Sequence, residues 1–308
     1  MDLKPTVRLE NVTKIIGKKT IIDNISFDMY PGEVFGFLGP NGAGKTTTIR
    51  MLVGLIKPTA GKVEICGFDV RKQFVQAMQR LGSIVENPEL YKYLSGRENL
   101  EIFARMLPGV DEARMQEVID LVDLMERIDD QVRTYSLGMR QRLGIAQALL
   151  GRPDVLILDE PTNGLDPMGI KDLRAFIRKL VEDTGLSVLV SSHILSEIEL
   201  LADRVAIMSH GKIVQIGKVH DLIGTASAGV DWRVSDTAKA LEMFKASPYV
   251  QSVEQYDDHT LHTLMDEGKT GILNEALIQA GIEVWTIERK VQTLEDLFIR
   301  LTGGDRIV

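Results

Sequence analysis

The residues with the clearest chemistry are Lys45 and Thr46, because of what precedes them. Gly39-Pro40-Asn41-Gly42-Ala43-Gly44-Lys45-Thr46-Thr47 fits G-x-x-x-x-G-K-[ST], a phosphate-binding loop. Its glycines let the backbone bend so that successive N–H groups point at phosphate oxygens. A helix N-terminus behind it adds a positive dipole end. In this pattern Lys45 reaches the β- and γ-phosphates and the Thr46 hydroxyl ligates Mg²⁺. The second chemical signal is Val155-Leu156-Ile157-Leu158-Asp159-Glu160, four aliphatic residues ending in two carboxylates. That is the pattern of a fully buried parallel strand delivering acids at its C-terminal edge, where α/β sheets bind ligands. The chain binds a nucleotide; the remaining question is what the nucleotide does.

The motifs need elements to position them. Glu33–Leu38 reads as a buried strand before the loop, and Thr46–Leu55 as a helix after it. Val7–Val12 and Ile21–Met29 read as further strands, so the first third is β-rich around one P-loop unit. Leu81–Glu86 reads as a strand ending in a polar residue, and Asn87–Ser95 as a loop with Tyr91 and Tyr93. From Gly96 to Gln131 the apolar spacing is helical, with one break at Pro108-Gly109. A helix opens near Ser136 and runs to about Leu150; Gly169–Asp183 and Leu195–Ala202 follow as helices around the strand Ser187–Ser191. Arg204–Met208 and Lys212–Ile216 form a hairpin.

Composition changes near Thr225-Ala226-Ser227-Ala228-Gly229, read as a linker. Beyond it come a strand (Val230–Val234), a helix (Thr237–Ala246), two strands (Val250–Tyr256, Thr260–Met265), a helix (Gly271–Ala280), a strand (Ile282–Glu288) and a last helix from about Thr293 to Leu301. That is the β-α-β-β-α-β order of a ferredoxin-like domain. It carries no catalytic constellation; His259 and His262 read as a solvated pair on a hairpin.

The 308 residues suffice for about two domains, and 44% hydrophobic with 26% charged residues supports a core in each. A net charge of −8 argues against nucleic acid as a partner. A single cysteine, Cys66, suits a reducing cytosol and reads as a small buried apolar residue. No apolar run approaches the ~18 residues needed to cross a bilayer, and Met1–Pro5 has no signal-peptide core. Work at a membrane would need another chain as anchor.

Five motifs in order over residues 1–220 resemble the ATPase subunit of ABC transporters. The resemblance implies ATP and Mg²⁺ as cofactors and ATP hydrolysis as the reaction. Asp159 matches the strand-end acid that holds the metal's water shell, and Glu160 the general base that polarises the attacking water. Phosphoryl transfer needs exactly such charge neutralisation and a positioned nucleophile more than covalent chemistry. Adjacent strand residues point to opposite sides, so one carboxylate is expected to face metal and the other water. Asn163-Gly164-Leu165-Asp166 resembles the D-loop, and Ser191-Ser192-His193 the switch motif, where His193 contacts the γ-phosphate and the base. Residues 135–139 stand in place of the L-S-G-G-Q signature; Tyr135, Leu137 and Met139 depart from it, while Ser136 and Gly138 remain to close on the γ-phosphate of an opposite subunit.

Two departures concern the nucleotide directly. Glu86 stands where the family has the Q-loop glutamine; it either coordinates Mg²⁺ with a full charge or sits aside. Ile15-Ile16-Gly17 stands where an aromatic often stacks on adenine, leaving Ile16 to cover the base by apolar contact. Val85-Glu86-Asn87-Pro88, the Ser-Leu-Gly-Met signature and the ferredoxin-like tail resemble the bacitracin-resistance and lantibiotic-immunity type of drug-exporter ATPase.

The fold implied is α/β: a P-loop NTPase cassette over 1–224, with a RecA-like core, a β-rich N-terminal subdomain and a helical subdomain at about 87–152, then a ferredoxin-like α+β domain over 225–308. The partners implied are a second ATPase subunit, forming a homodimer on ATP, and a separate integral-membrane permease that holds the chain at the cytoplasmic face. Tyr91 and Tyr93 are either contacts to it or ordinary loop tyrosines. Among rival classes, a GTPase would carry an N-K-x-D element, which is absent, and a translation-factor-like protein would carry two cassettes. A soluble regulatory or scaffold protein that binds nucleotide without transport is the alternative; Glu160 and His193 argue against it.

Overall fold

The computed structural model describes residues 4–224, 229–266, 268–290 and 293–302. The chain divides into two compact units, one built on the chain up to Lys218, to which Leu301 also belongs, and one on Val219–Arg300. The division thus falls six residues before the composition change; of the linker read there, Thr225–Ala228 lie outside the described residues.

The first unit opens with β1 (Val7–Ile16) and β2 (Lys19–Met29), joined at Gly17, then β3 (Val34–Leu38), which is buried along its whole length. The chain bends through Gly42 (φ 81°) and Gly44 (φ 108°) into α1 (Lys45–Leu52). β4 (Ala60–Ile65), β5 (Phe68–Asp69), the short α2 (Phe74–Met78) and β6 (Leu81–Ile84) follow. The helical stretch contains α3 (Gly96–Ala104), started by a capping box of Ser95 and Glu98, and α4 (Glu112–Leu121). It breaks twice rather than once: between α3 and α4, around Pro108-Gly109, and again at Asp123, whose φ of 56° cannot continue a right-handed helix. Nothing but a lone aspartate marks the second break. Then come α5 (Leu137–Leu149), β7 (Val155–Asp159), α6 (Pro167–Thr184), β8 (Ser187–Ser192), α7 (Leu195–Leu201), β9 (Arg204–Ser209) and β10 (Lys212–Lys218).

Two sheets share one core. The antiparallel sheet has the order β2-β1-β4-β5, and the other has the order β10-β9-β3-β8-β7-β6. Phe27 of β2 stacks on Phe35 of β3 at 5.2 Å and leans on Phe37 at 5.6 Å, binding one sheet to the other. In the second sheet β9, β3, β8, β7 and β6 are all parallel neighbours. Parallel strands buried on both faces read as continuous apolar runs, which is why β3 and β7 were legible. Parallelism has a consequence for function: the segments that leave β3, β6, β7 and β8 all emerge at one edge. No helix among the described residues is long and apolar enough to cross a membrane.

The second unit begins with α8 (Val219–Gly224) and contains β11 (Gly229–Val234), α9 (Thr237–Ala246), β12 (Val250–Gln255), β13 (Thr260–Met265), α10 (Thr270–Gln279), β14 (Val284–Lys290) and α11 (Leu294–Thr302), the last reaching the unit boundary at Arg300. The sheet is antiparallel in the order β12-β13-β11-β14, the arrangement in which two split β-α-β units interleave. Trp232, Phe244, Leu261 and Leu277 form its core. His262 is not a solvated hairpin residue: strand register sets it opposite Asp231, which takes a 2.6 Å hydrogen bond from its Nδ1. His259 sits in the turn, 5.2 Å from the Trp285 ring.

Candidate active site

The phosphate-binding loop leaves β3 at the parallel-sheet edge. A Cβ at Gly39 would lie 2.6 Å from the Met208 carbonyl oxygen, so only glycine fits there. Lys45 begins α1 and is almost wholly buried. Its Nζ donates to the Gly39 carbonyl at 2.6 Å and lies 3.2 Å from Glu160 Oε1.

The acids arrive on β7. Asp159 ends the strand, buried, and its carboxylate accepts from Ser191 Oγ at 2.6 Å and from the Thr46 hydroxyl. Burial pushes the Asp159 carboxyl above its usual range, and those two hydrogen bonds pull it back only part of the way. Glu160 lies outside the strand. Its φ of 51° turns the backbone into the left-handed region, so strand alternation stops at Asp159 and both carboxylates line the same cleft. The expectation of opposite faces fails for that reason. Glu160 Oε2 accepts from His193 Nδ1 at 2.6 Å. His193 follows β8, the strand between β3 and β7, and that sheet order brings loop, acids and histidine together.

These groups line a cleft of 690 Å³. Lys45, Thr46, Asp159, Glu160 and His193 meet there, and so do Pro40, Asn41, Gly42, Gly44 and Thr47 of the loop. Gly39 and Ala43 support the loop from behind; Ala43 is buried, with its N–H on the Pro40 carbonyl. Glu86, at φ 68° after β6, also lines the cleft, but its Oε1 accepts from Arg50 at 2.6 Å. Ile16 is 56% exposed, and Lys19 and Ile21 line that side of the cleft. Register pairs Ile16 with Lys19 across the turn, so the two stand side by side.

Ser136, Gly138 and Asp166 lie elsewhere. They line a second cleft of 580 Å³ with Leu165 and Arg142. Ser136 caps α5 by accepting from Met139 N at 3.2 Å, which leaves its own proton free to donate. Asp166 caps α6 through Gly169 N, and Pro167 occupies the first helical turn. A Cβ at Gly138 would meet nothing closer than 3.9 Å, so the single chain has no steric need for glycine there.

Ser191 was overlooked as a functional residue. Its signal is a pair of buried serines following Val188-Leu189-Val190, where two more apolar residues would be expected.

The family model described as ABC transporter matches residues 22–163. The uncharacterized ABC transporter ATP-binding protein YhcH of Bacillus subtilis (strain 168) is 47% identical, covering 98% of this chain and 97% of its own length. The bacitracin transport ATP-binding protein BcrA of Bacillus licheniformis is 40% identical, covering 98% of each. Among solved structures, a dimeric ATP-binding cassette in a post-hydrolysis state, bound to ADP and Pi, is 25% identical with a TM-score of 0.61; the match covers 69% of this chain and 98% of that one. This chain belongs to the ABC transporter ATP-binding proteins, a family of ATPases.

Proposed function

We propose that this ATPase powers export of an antibiotic, peptide or drug-like compound through a separate membrane permease, and that two copies close on two ATP molecules. The observation that carries the reading is a division of labour. Lys45, Asp159, Glu160 and His193 line one cleft, while Ser136 and Gly138 line another. Each cleft has half of what a γ-phosphate needs: a lysine, a base and a backbone cradle in one, a helix N-terminus with a free hydroxyl proton in the other. A second copy supplies the missing half. Gly138 then has a reason to be glycine, since a partner's phosphate must approach its backbone.

Glu160 is the base, oriented by His193, and takes the proton of the attacking water. Lys45 moves from Glu160 to the phosphates as they enter. The oxygen pair of Thr46 and Asp159 fits a hard cation, and Mg²⁺ there would neutralise phosphate charge. Among the described residues no group of three His, Cys, Asp or Glu could hold a metal, which suits a cation bound largely by phosphates and water. Glu86 joins that shell only by leaving Arg50. The loop Asn87–Ser95, with Tyr91 and Tyr93 exposed and packed edge to face at 6.1 Å, is the surface offered to the permease, which holds the chain at the cytoplasmic face. The bacitracin-transport relative supports the class of cargo.

Glu160→Gln should bind ATP, accumulate a closed dimer and lose turnover; phosphate release at the parent rate would overturn the base assignment. Mixing Lys45→Ala with Ser136→Arg subunits should restore at most one working site per dimer. Two working sites would contradict a shared one. For the cargo, co-expression with the membrane permease that co-purifies with this chain should raise tolerance to a peptide antibiotic only while Lys45 is intact; equal tolerance with Lys45→Ala would sink the export reading.

A further inference from the structure

Ser191 uses both of its hydrogen-bonding capacities inside the hydrolytic machinery. Its hydroxyl donates to Asp159 Oδ1 at 2.6 Å and accepts from the Glu160 N–H at 2.9 Å. It is wholly buried, so no bulk water can take its place. Asp159 and Ser191 are the last register pair of the parallel β7–β8 ladder. The next N–H along β7 would ordinarily seek a main-chain carbonyl on the neighbouring strand. Here the serine side chain captures it, and the ladder ends.

That capture matters because of what Glu160 does next. Its φ of 51° is a conformation that a side chain with a Cβ keeps only when the surroundings over-determine it. Had Glu160 stayed extended, it would have pointed to the face opposite Asp159. Turned, it reaches Lys45 and His193. The turn is secured at its start by Ser191 and at its far side by the Asn163 N–H, which donates to the Glu160 carbonyl at 3.1 Å.

We propose that Ser191 is a positioning residue for ATP hydrolysis: a single hydroxyl holds the Asp159 carboxylate and the Glu160 backbone in one fixed relation. The acid beside Thr46 and the acid beside His193 are then aligned by the same group and cannot drift apart independently. A hydroxyl serving only to satisfy a strand end would stabilise the fold but would not discriminate between binding and turnover. The inference rests on Glu160 being the base.

The test compares Ser191→Ala, Ser191→Cys and Ser191→Thr, each alone and combined with Glu160→Gln. It reads kcat, KM for ATP, and affinity for a fluorescent ATP analogue. Ala and Cys should lower kcat by about 10- to 100-fold, the scale of a misplaced reacting group, and leave nucleotide affinity within about threefold. Thr keeps the hydroxyl and should keep kcat within about threefold. Combined with Glu160→Gln, the Ser191→Ala change should lower the residual rate by a clearly smaller factor than in the parent, because one of the two residues it aligns is already disabled. Full kcat in the Ala and Cys variants would overturn the proposal, and so would equal losses in both backgrounds or a Thr variant as poor as Cys. If Ala fails to fold, Cys against Thr decides. Should Glu160→Gln alone keep full turnover, it is the base assignment that fails, and that result is read without any Ser191 variant.

Discussion

In the first unit, His193 Nδ1 lies 2.6 Å from Glu160 Oε2, and Lys45 Nζ lies 3.2 Å from the other carboxylate oxygen. In the second, His262 Nδ1 lies 2.6 Å from Asp231 Oδ1, and Lys290 Nζ lies 2.9 Å from Oδ2. The residue types and distances nearly coincide, yet the surroundings differ in kind. Glu160 and His193 follow the ends of neighbouring parallel strands, where the backbone leaves the ladder and opens on a cleft. Asp231 and His262 face each other within an antiparallel ladder. The His262 ring lies flat on Tyr256 at 5.2 Å, and Gly229 leaves room on its other side: a Cβ there would stand 2.2 Å from the ring. A histidine–acid–lysine group is therefore not a site by composition. At a strand end it opens on a cleft; in mid-strand it joins strands.

The contrast breaks most visibly if turnover follows the wrong acid. Glu160→Gln should cut ATP hydrolysis by about 100-fold or more, the usual worth of a general base, while Asp231→Asn leaves it within about twofold. A steady-state phosphate assay decides; a comparable loss in Asp231→Asn would end the distinction. Next in size, His193→Ala should lower kcat by about 10- to 100-fold through loss of the group that orients Glu160, and His262→Ala should not.

Stability supplies the smaller tests. Gly229→Ala forces a methyl into the His262 ring and should cost the second sheet about 1–3 kcal/mol, read as lost amide-exchange protection along β11 and β13 with hydrolysis unchanged. The two strand aspartates should respond oppositely to amide substitution. Burial raises the Asp159 carboxyl, so its ionised form subtracts stability above the folded pKa, and that loss is relieved as pH falls through it. Asp159→Asn should then raise thermal stability at neutral pH, with the gain shrinking on acidification, while hydrolysis is lost. At Asp231 the sign reverses. The Lys290 ammonium is held above its usual range by its hydrogen bond to Asp231, a contribution present at neutral pH and lost as pH rises through the folded lysine pKa. Lys290 is half exposed, so solvent screening keeps its share to a few tenths of a kcal/mol, and Asp231→Asn should destabilise mainly by weakening the His262 bond. Equal signs for the two substitutions in melts at neutral pH would contradict this account.

Much of the site is legible in the sequence alone. The glycine-bent loop, the acid pair after four aliphatics and the histidine after a strand are local patterns, and local patterns survive in a linear text. The β-α-β-β-α-β order of the second unit was readable for the same reason, because period-two and period-3.6 burial mark strand and helix directly. What went unread depended on distant neighbours. The left-handed turn at Glu160 is held by a hydroxyl 31 residues further on. The position of Glu86 answers to Arg50, 36 residues earlier, and Lys19 and Ile21, two residues of the next strand, line the cleft as well.

The amino-acid order alone determined which residues carry chemistry, since a bent loop, a buried strand and a capped helix each follow from residues adjacent in the chain. Only the tertiary structure decided which of them meet. Strand order brings β3, β8 and β7 side by side, and a side-chain hydroxyl on β8 accepts from the N–H of Glu160, the residue that follows β7. Pairings between strands are set by packing across the sheet, and no stretch of neighbouring residues encodes them.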